Sequence, residues 1–247
     1  MIADRLGLLH EVGDAVASAM RSVTDWGLSG EREGQYVLDV TADDAALAVL
    51  RRAGVGVLSE ESGLDAGSTG EVVVIDPIDG STNASRGIPW FATSLCLVDR
   101  DGPAAAVVIN QASGVRYSAV RGEGAWCGER RLVHSGCTEL SEAIVMVSAV
   151  PPSDAGWAQY RALGACTLDL CAVADGVVDA YVDFGDEQHG VWDYLAGWLI
   201  CREVGIEVVD AFDRPMAHLD PSARRTPLAA ATPQLATSLL TARRRGA

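Results

Sequence analysis

The sequence predicts a layered α+β / α/β protein, with an antiparallel sheet in its N-terminal half and a smaller α/β sheet in its C-terminal half. Three observations carry this. Apolar residues recur at helical spacing from Ile2 to Val23, glycine-bounded β-type runs follow one another from Phe91 to Trp126, and beyond Thr138 strand-like and helix-like segments alternate. The halves are residues 1–137, which carry most of the candidate site residues, and residues 138–247. A chain of 247 residues can bury a sizeable core, as one large domain or as two tightly joined layers.

Taken in order, Ile2, Leu6, Leu9, Val16, Met20 and Val23 give an amphipathic first helix, and a second fits Ala42 to Ala53. Val55-Gly-Val-Leu58 is a short apolar strand. Val72 to Ile75 is a β-branched apolar run that suits a strand buried on both faces. Strands follow at Phe91–Val98, Ala104–Ile109, Gly114–Val120 and Gly124–Trp126, with hairpin-like turns between them. In the second half, strands at Ala143–Val147 and Ala180–Asp183 alternate with helices around Ala158–Leu163, Leu168–Ala174 and Asp193–Glu203. Arg243-Arg-Arg245 reads as a solvated tail, and no internal repeat or low-complexity segment is visible.

The formal charge is −15, and every one of the 19 basic residues is arginine. So acidic a surface argues against nucleic acid as substrate or partner, because phosphate backbones seek clustered cations. No apolar run approaches the ~20 residues needed to cross a bilayer, and the first residues lack a basic-then-apolar signal pattern. The six cysteines form no Cys-x-x-Cys pair, which points to reduced thiols in a cytoplasmic protein. Asn83-Ala-Ser85 fits a glycosylation sequon but lies inside the candidate site. Isolated His10, His134 and His218 suggest no zinc centre, and no complete dinucleotide or P-loop glycine pattern occurs.

The most informative stretch is Glu71 to Trp90. It runs a buried strand into Asp76 and Asp79, with Pro77 and Ile78 between them, then into Gly80 and the hydroxyls of Ser81 and Thr82. A proline-fixed φ in a sharp turn can swing both carboxylates to one point and leave the Ile78 carbonyl free. Two hard anions and a carbonyl oxygen suit Mg²⁺, which keeps an octahedral oxygen shell completed by water or phosphate. Gly80 permits close backbone approach, and Ser81, Thr82 and Asn83 are good helix N-caps, so the next segment should open a helix whose N–H groups face an anion. The plain alternative is a surface turn. A solvated turn, however, needs neither an apolar strand leading in nor Ile-Pro-Trp-Phe leading out.

Asp76-Pro-Ile-Asp-Gly-Ser-Thr-Asn83 with Gly87-Ile-Pro-Trp-Phe91 resembles the first signature of the inositol monophosphatase family, which are Mg²⁺-dependent, lithium-sensitive phosphomonoesterases. Val191-Trp-Asp-Tyr-Leu-Ala-Gly197, running on to Glu203 and Gly205, is similar to the second signature, and Leu58-Ser-Glu-Glu-Ser62 is a shorter third match. The resemblance implies an αβαβα sandwich, a homodimer, and two or three Mg²⁺ ions. It places Glu60, Asp76 and the Ile78 carbonyl on one ion, Asp76, Asp79 and Asp193 on a second, and Glu60 near a weaker third. It gives Ser81 the orienting of the attacking water, Gly80, Ser81 and Thr82 the phosphate, and Asp183 a substrate hydroxyl. Read from the residues alone, Glu60 and Glu61 are tandem glutamates after a strand, and Asp193 is a helix cap that complements the dipole. Asp193 can do both jobs.

The implied reaction is hydrolysis of a small phosphate monoester by in-line attack of water, without a phosphoenzyme. Fructose 1,6-bisphosphate, 3′-phosphoadenosine 5′-phosphate and histidinol phosphate are alternative substrates within the family, and a non-catalytic regulatory protein on the same scaffold is an alternative outside it. Three departures stand out. Ser81 replaces a threonine. The family's N-terminal Lys and Asp are missing, only Thr41-Ala-Asp43 matching in that region. About three extra residues fall between Asp183 and Trp192, where Asp186, Glu187 or His189 could substitute as a substrate contact.

Overall fold

The structure is a computed structural model that describes residues 2–151 and 155–246; the side chains of residues 2–4 and 246 are outside the described set, so the expected place of Ile2 in the apolar stripe is too. The chain runs α1 (Ile2–Met20), α2 (Val37–Ala53), β1 (Gly56–Ser59), β2 (Gly63–Asp65), β3 (Val72–Asp79), α3 (Ser81–Arg86), β4 (Ala92–Asp99), β5 (Gly102–Asn110), β6 (Arg116–Val120), β7 (Gly124–Cys127) and β8 (Arg130–Arg131). It continues through β9 (Ile144–Ser148), β10 (Gln159–Arg161), α4 (Cys166–Ala174), β11 (Ala180–Asp183), α5 (Val191–Glu203), β12 (Val208–Asp210), β13 (Pro227–Ala230) and α6 (Pro233–Gly246). An eight-stranded sheet has the order β2-β1-β3-β4-β5-β6-β7-β8, and a five-stranded sheet the order β10-β9-β11-β13-β12.

Alternation along the strands sets the layers. Val73 and Ile75 of β3, with Val107 and Ile109 of β5, pack against Leu9, Val12 and Val16 of α1 and Leu50 of α2. Their neighbours Val74, Ala106 and Val108 face the other way, onto Leu168 and Cys171 of α4 and Leu195 and Leu199 of α5. The smaller sheet repeats the device: Met146 and Tyr181 join that middle layer, while Val145, Val147, Ala180 and Val182 turn outward to Leu235 and Leu239 of α6. Both sheets are therefore covered on two faces, which is why their central strands, β3, β4, β5 and β9, read as largely apolar runs. The result is the αβαβα sandwich.

Two expected elements differ. Ala158–Leu163 does not form a helix; Gln159–Arg161 is an exposed edge strand parallel to β9. Its alanines carried no information about that pairing. Arg243-Arg-Arg245 is not a tail but the last turn of α6, and Arg243 lies on the buried face, four and eight residues after Leu239 and Leu235. α2 also starts five residues before the expected Ala42, because Asp39 at its third position accepts the Tyr36 N–H at 2.8 Å and stabilises an entry that looked polar. Strands β2, β8 and β12, of two or three residues, are too short to leave a period, and the four-residue β13 is also outside the expected set.

Candidate metal centre

The Asp76–Asp79 segment is not a free turn. It is the end of β3, where Asp76 pairs with Ser94 and Asp79 with Ala92, so three steps on β3 match two on β4. That β-bulge turns successive side chains out of strict alternation. Pro77, which has no N–H to lose, offers its carbonyl to Thr93 Oγ1 at 2.9 Å, and Ile78 donates its N–H to Asp76 Oδ1 at 2.9 Å. The Ile78 side chain is buried among the α1/α2 layer. What Ile78 shows to the site is main chain.

Glu60 arrives from the neighbouring strand. β1 runs parallel to β3 with Ser59 opposite Ile75, and the Glu60 N–H continues the ladder to the Ile75 carbonyl at 3.2 Å. Two parallel strands thus end side by side in carboxylates. Asp193 comes from the middle layer, at the third position of α5, where its Oδ2 accepts the Gly190 N–H at 2.8 Å. Ligand-type oxygens of Glu60, Asp76 and Asp193 all lie within 4.8 Å of one another. Asp193 therefore caps its helix and joins the cluster.

Asp79 is outside that group of three. Its Oδ2 accepts the Thr167 N–H at 2.7 Å, so it caps α4 across the layer boundary, in place of a side-chain cap that Ala165 cannot supply. Even so, Asp79 lines the same open cavity of ≈ 210 Å³ as Glu60, Asp76, Ile78, Gly80, Ser81, Thr82, Gly164, His189 and Asp193. Ser81, expected as an N-cap, is the first residue of α3; the cap is Gly80, at φ 87°. A Cβ there would stand 3.1 Å from the Trp90 carbonyl and 3.2 Å from that of Gly164. Asn83 also has a structural task, donating Nδ2 to the carbonyls of Trp90 (2.7 Å) and Leu163 (2.6 Å).

Burial and mutual repulsion dominate the electrostatics. Burial, then the charges of Asp193, Glu61 and Asp79, pushes Glu60 up to about 8. Burial followed by Glu60 and Asp79 holds Asp76 well above the usual carboxylate range. Burial and Asp193 push Asp79 to about 7, against the pull of the Thr167 N–H. No arginine lines the cavity among the described residues. Arg32, from the segment before α2, grips the rim instead, donating to the Glu60 carbonyl at 3.0 Å and to Glu61 Oε2 at 2.7 Å, and Gln35 also bonds Glu61. Glu61 is thereby a supporting group.

Asp183 does not reach the cavity lining. It is fully buried at the end of β11, with Oδ1 accepting the Gly185 N–H at 2.7 Å. Of the three groups in the extra residues, Asp186 pairs with Arg243 and Glu187 with Arg214, whereas His189 lines the cavity. Burial opposes the imidazolium of His189, but the hydrogen bond and charge of Asp193, then Asp183, raise it overall. Sequence reasoning missed Arg32, Thr167 and Arg243; only the last left a trace, in its spacing from Leu235 and Leu239. A larger cavity of ≈ 660 Å³, lined by Trp198, Arg202 and Arg214 among others, holds no comparable carboxylate cluster among the described residues, and its Asp210 is bonded to Arg214 at 2.7 Å.

The sequence model of the inositol monophosphatase family matches residues 5–246. The chain belongs to that family. It is 30% identical over 220 residues to the Nus factor SuhB of Pasteurella multocida, covering 81% of each chain, and 32% identical over 218 residues to a fructose-1,6-bisphosphatase/inositol-1-monophosphatase of Archaeoglobus fulgidus, covering 84% of each. Among solved structures, the extragenic suppressor protein SuhB of Bartonella henselae superposes with a TM-score of 0.82 at 25% identity, over 98% of both chains. The layered fold is thus the inositol monophosphatase fold. Its acidic cluster is able to hold a metal ion.

Proposed function

We propose that the chain is a Mg²⁺-dependent phosphomonoesterase acting on a small phosphorylated metabolite, an inositol monophosphate or a similar sugar or polyol phosphate. The observation that carries this is the convergence of Glu60, Asp76 and Asp193 within 4.8 Å in a cavity shared with Gly80, Ser81 and Thr82. The donor set fits a hard divalent cation: it is all oxygen, partly or fully buried, and self-repelling without a countercharge. Glu60, Asp76, Asp193 and the Ile78 main chain would hold it, with Asp79 beside them. When bound, Mg²⁺ supplies Lewis acidity to phosphoryl oxygens and lowers the pKa of water at the site.

The chain's own groups divide the remaining work. The main chain at Gly80, Ser81 and Thr82 carries N–H groups with no intrahelical acceptor, suited to phosphoryl oxygens as charge shifts onto them. The Ser81 hydroxyl orients the attacking water. Water adds in line to phosphorus as the ester P–O bond breaks, releasing the alcohol and inorganic phosphate without a phosphoenzyme. The chain's −15 charge repels phosphate at long range, so productive binding depends on the cation.

A second reading, a regulatory protein on this scaffold, is favoured by the relative named Nus factor SuhB. One experiment separates the two. Phosphate release from inositol, sugar, nucleotide and histidinol phosphates and fructose 1,6-bisphosphate is measured with Mg²⁺, with EDTA and with lithium. Mg²⁺-dependent, lithium-sensitive release is expected, reduced at least 100-fold in Asp193→Asn; cation binding without release on any ester would refute the phosphatase and favour the regulator.

A further inference from the structure

The segment that leads from β11 into α5 is held from outside by arginine. Arg243, on the buried face of α6, donates Nε to the Asp183 carbonyl at 2.8 Å and Nη2 to the Gly185 carbonyl at 3.2 Å and to Asp186 Oδ1 at 2.6 Å. Its side chain is 6% exposed. A planar fork is suited to two carbonyls and a carboxylate at once, as a single ammonium is not. Further along, Arg214 bonds Glu187, whose N–H reaches Thr226 Oγ1 at 3.1 Å. The chain then turns back to the cavity at His189 and Gly190.

There it meets Asp193. The Gly190 N–H (2.8 Å) and His189 Nδ1 (3.3 Å) both address the same oxygen, Asp193 Oδ2. His189 Nε2 is in turn fixed by the Tyr181 hydroxyl at 3.1 Å and lies 3.6 Å from Asp183 Oδ2, which has no hydrogen-bond partner among the described residues. Two contacts on Oδ2 fix the rotation of the carboxylate. That rotation decides how Asp193 meets Glu60 and Asp76.

We infer that Arg243 is a positioning residue for Asp193: by fixing Asp183 to Asp186 from the C-terminal helix, it sets where His189 and Gly190 grip Oδ2. The consequence for metal binding rests on the proposed function; the geometry does not. Groups that orient a metal ligand typically change affinity 10–100-fold when removed. The C-terminal helix, separated by two layers from the strand ends that present Glu60 and Asp76, is thereby coupled to the site.

The test uses the full chain with Arg243→Met, Arg243→Lys and, as control, Arg244→Ala at the exposed neighbour. Exchange of the Gly190 amide is followed by NMR in EDTA, and Mn²⁺ affinity is followed by electron paramagnetic resonance. Arg243→Met is expected to speed Gly190 exchange about tenfold, with the β3 and β5 amides unchanged, and to weaken Mn²⁺ binding about tenfold. Arg243→Lys should fall between, and it decides the matter if the Met variant does not fold; Arg244→Ala should match wild type. Unchanged Gly190 exchange, or faster exchange with Mn²⁺ affinity intact, overturns the inference. If wild type binds no Mn²⁺, the metal assignment falls, and Gly190 exchange alone decides the positioning: faster supports it, unchanged refutes it.

Discussion

Asp79 is 8% exposed, and burial with the charge of Asp193 raises its carboxyl from 3.8 to about 7. A folded-state pKa above the unfolded value means that folding favours the protonated form, so stability is fully present below 3.8 and is lost as pH rises through about 7. At ~1.4 kcal/mol per unit, the full loss is about 4 kcal/mol, of which about 3 falls between pH 5 and 8. For a chain of this length 1 kcal/mol moves Tm by about 2–4 °C. The metal-free protein is therefore expected to melt roughly 6–12 °C lower at pH 8 than at pH 5 from this group alone. Glu60 and Asp79 repel each other, so one proton relieves both and their contributions do not sum. Asp79→Asn keeps an acceptor for the Thr167 N–H but does not ionise, and should flatten this part of the curve. Scanning calorimetry of wild type and Asp79→Asn in EDTA and in Mg²⁺, from pH 5 to 8, measures it. The Mg²⁺-induced rise in wild-type Tm should grow with pH, because only the ionised carboxylates gain from the cation. A wild-type EDTA curve parallel to that of Asp79→Asn would refute the reasoning.

Two further outcomes follow from local geometry. Gly80→Ala puts a side chain at φ 87° against the carbonyls of Trp90 and Gly164, so it should lower stability by about 1–3 kcal/mol and cut Mg²⁺-dependent turnover more steeply than Tm, read by urea melts beside initial rates. Trp90→Phe removes the 2.8 Å indole N–H bond to Asp169 Oδ1, a carboxyl that is 1% exposed; leaving that oxygen unpaired should cost about 1–3 kcal/mol in urea denaturation, whereas an unchanged midpoint would show that Asp169 finds another donor.

How far the sequence could be read depends on whether the governing interaction is local. The β3 run and the carboxylates after it were legible because a strand covered on both faces must be apolar at every position, and because Asp76, Ile78 and Asp79 are neighbours in the chain. The bulge that replaces the expected turn was not, since it exists only against β4. Asp193 was legible as a cap from its position and as a candidate ligand only by resemblance. Its approach to Glu60 and Asp76 needs α5 packed under β4, where Ser94 Oγ bonds the Trp192 carbonyl at 3.0 Å. Edge strand β10 was misread as a helix for the same reason: three exposed residues take their conformation from β9, not from themselves.

By itself, the sequence determined the family, the layered class, the acidic character and the neighbouring carboxylates at the end of β3, because each is written in residue type and short-range order. Tertiary structure alone decided which donors meet, that Asp79 also caps α4, that Asp183 is closed off while His189 faces the cavity, and that Arg243 belongs to the buried face of a helix. The reason is physical: rotation of a carboxylate and burial of a charge are fixed by groups that lie far away along the chain and become neighbours only when the layers close.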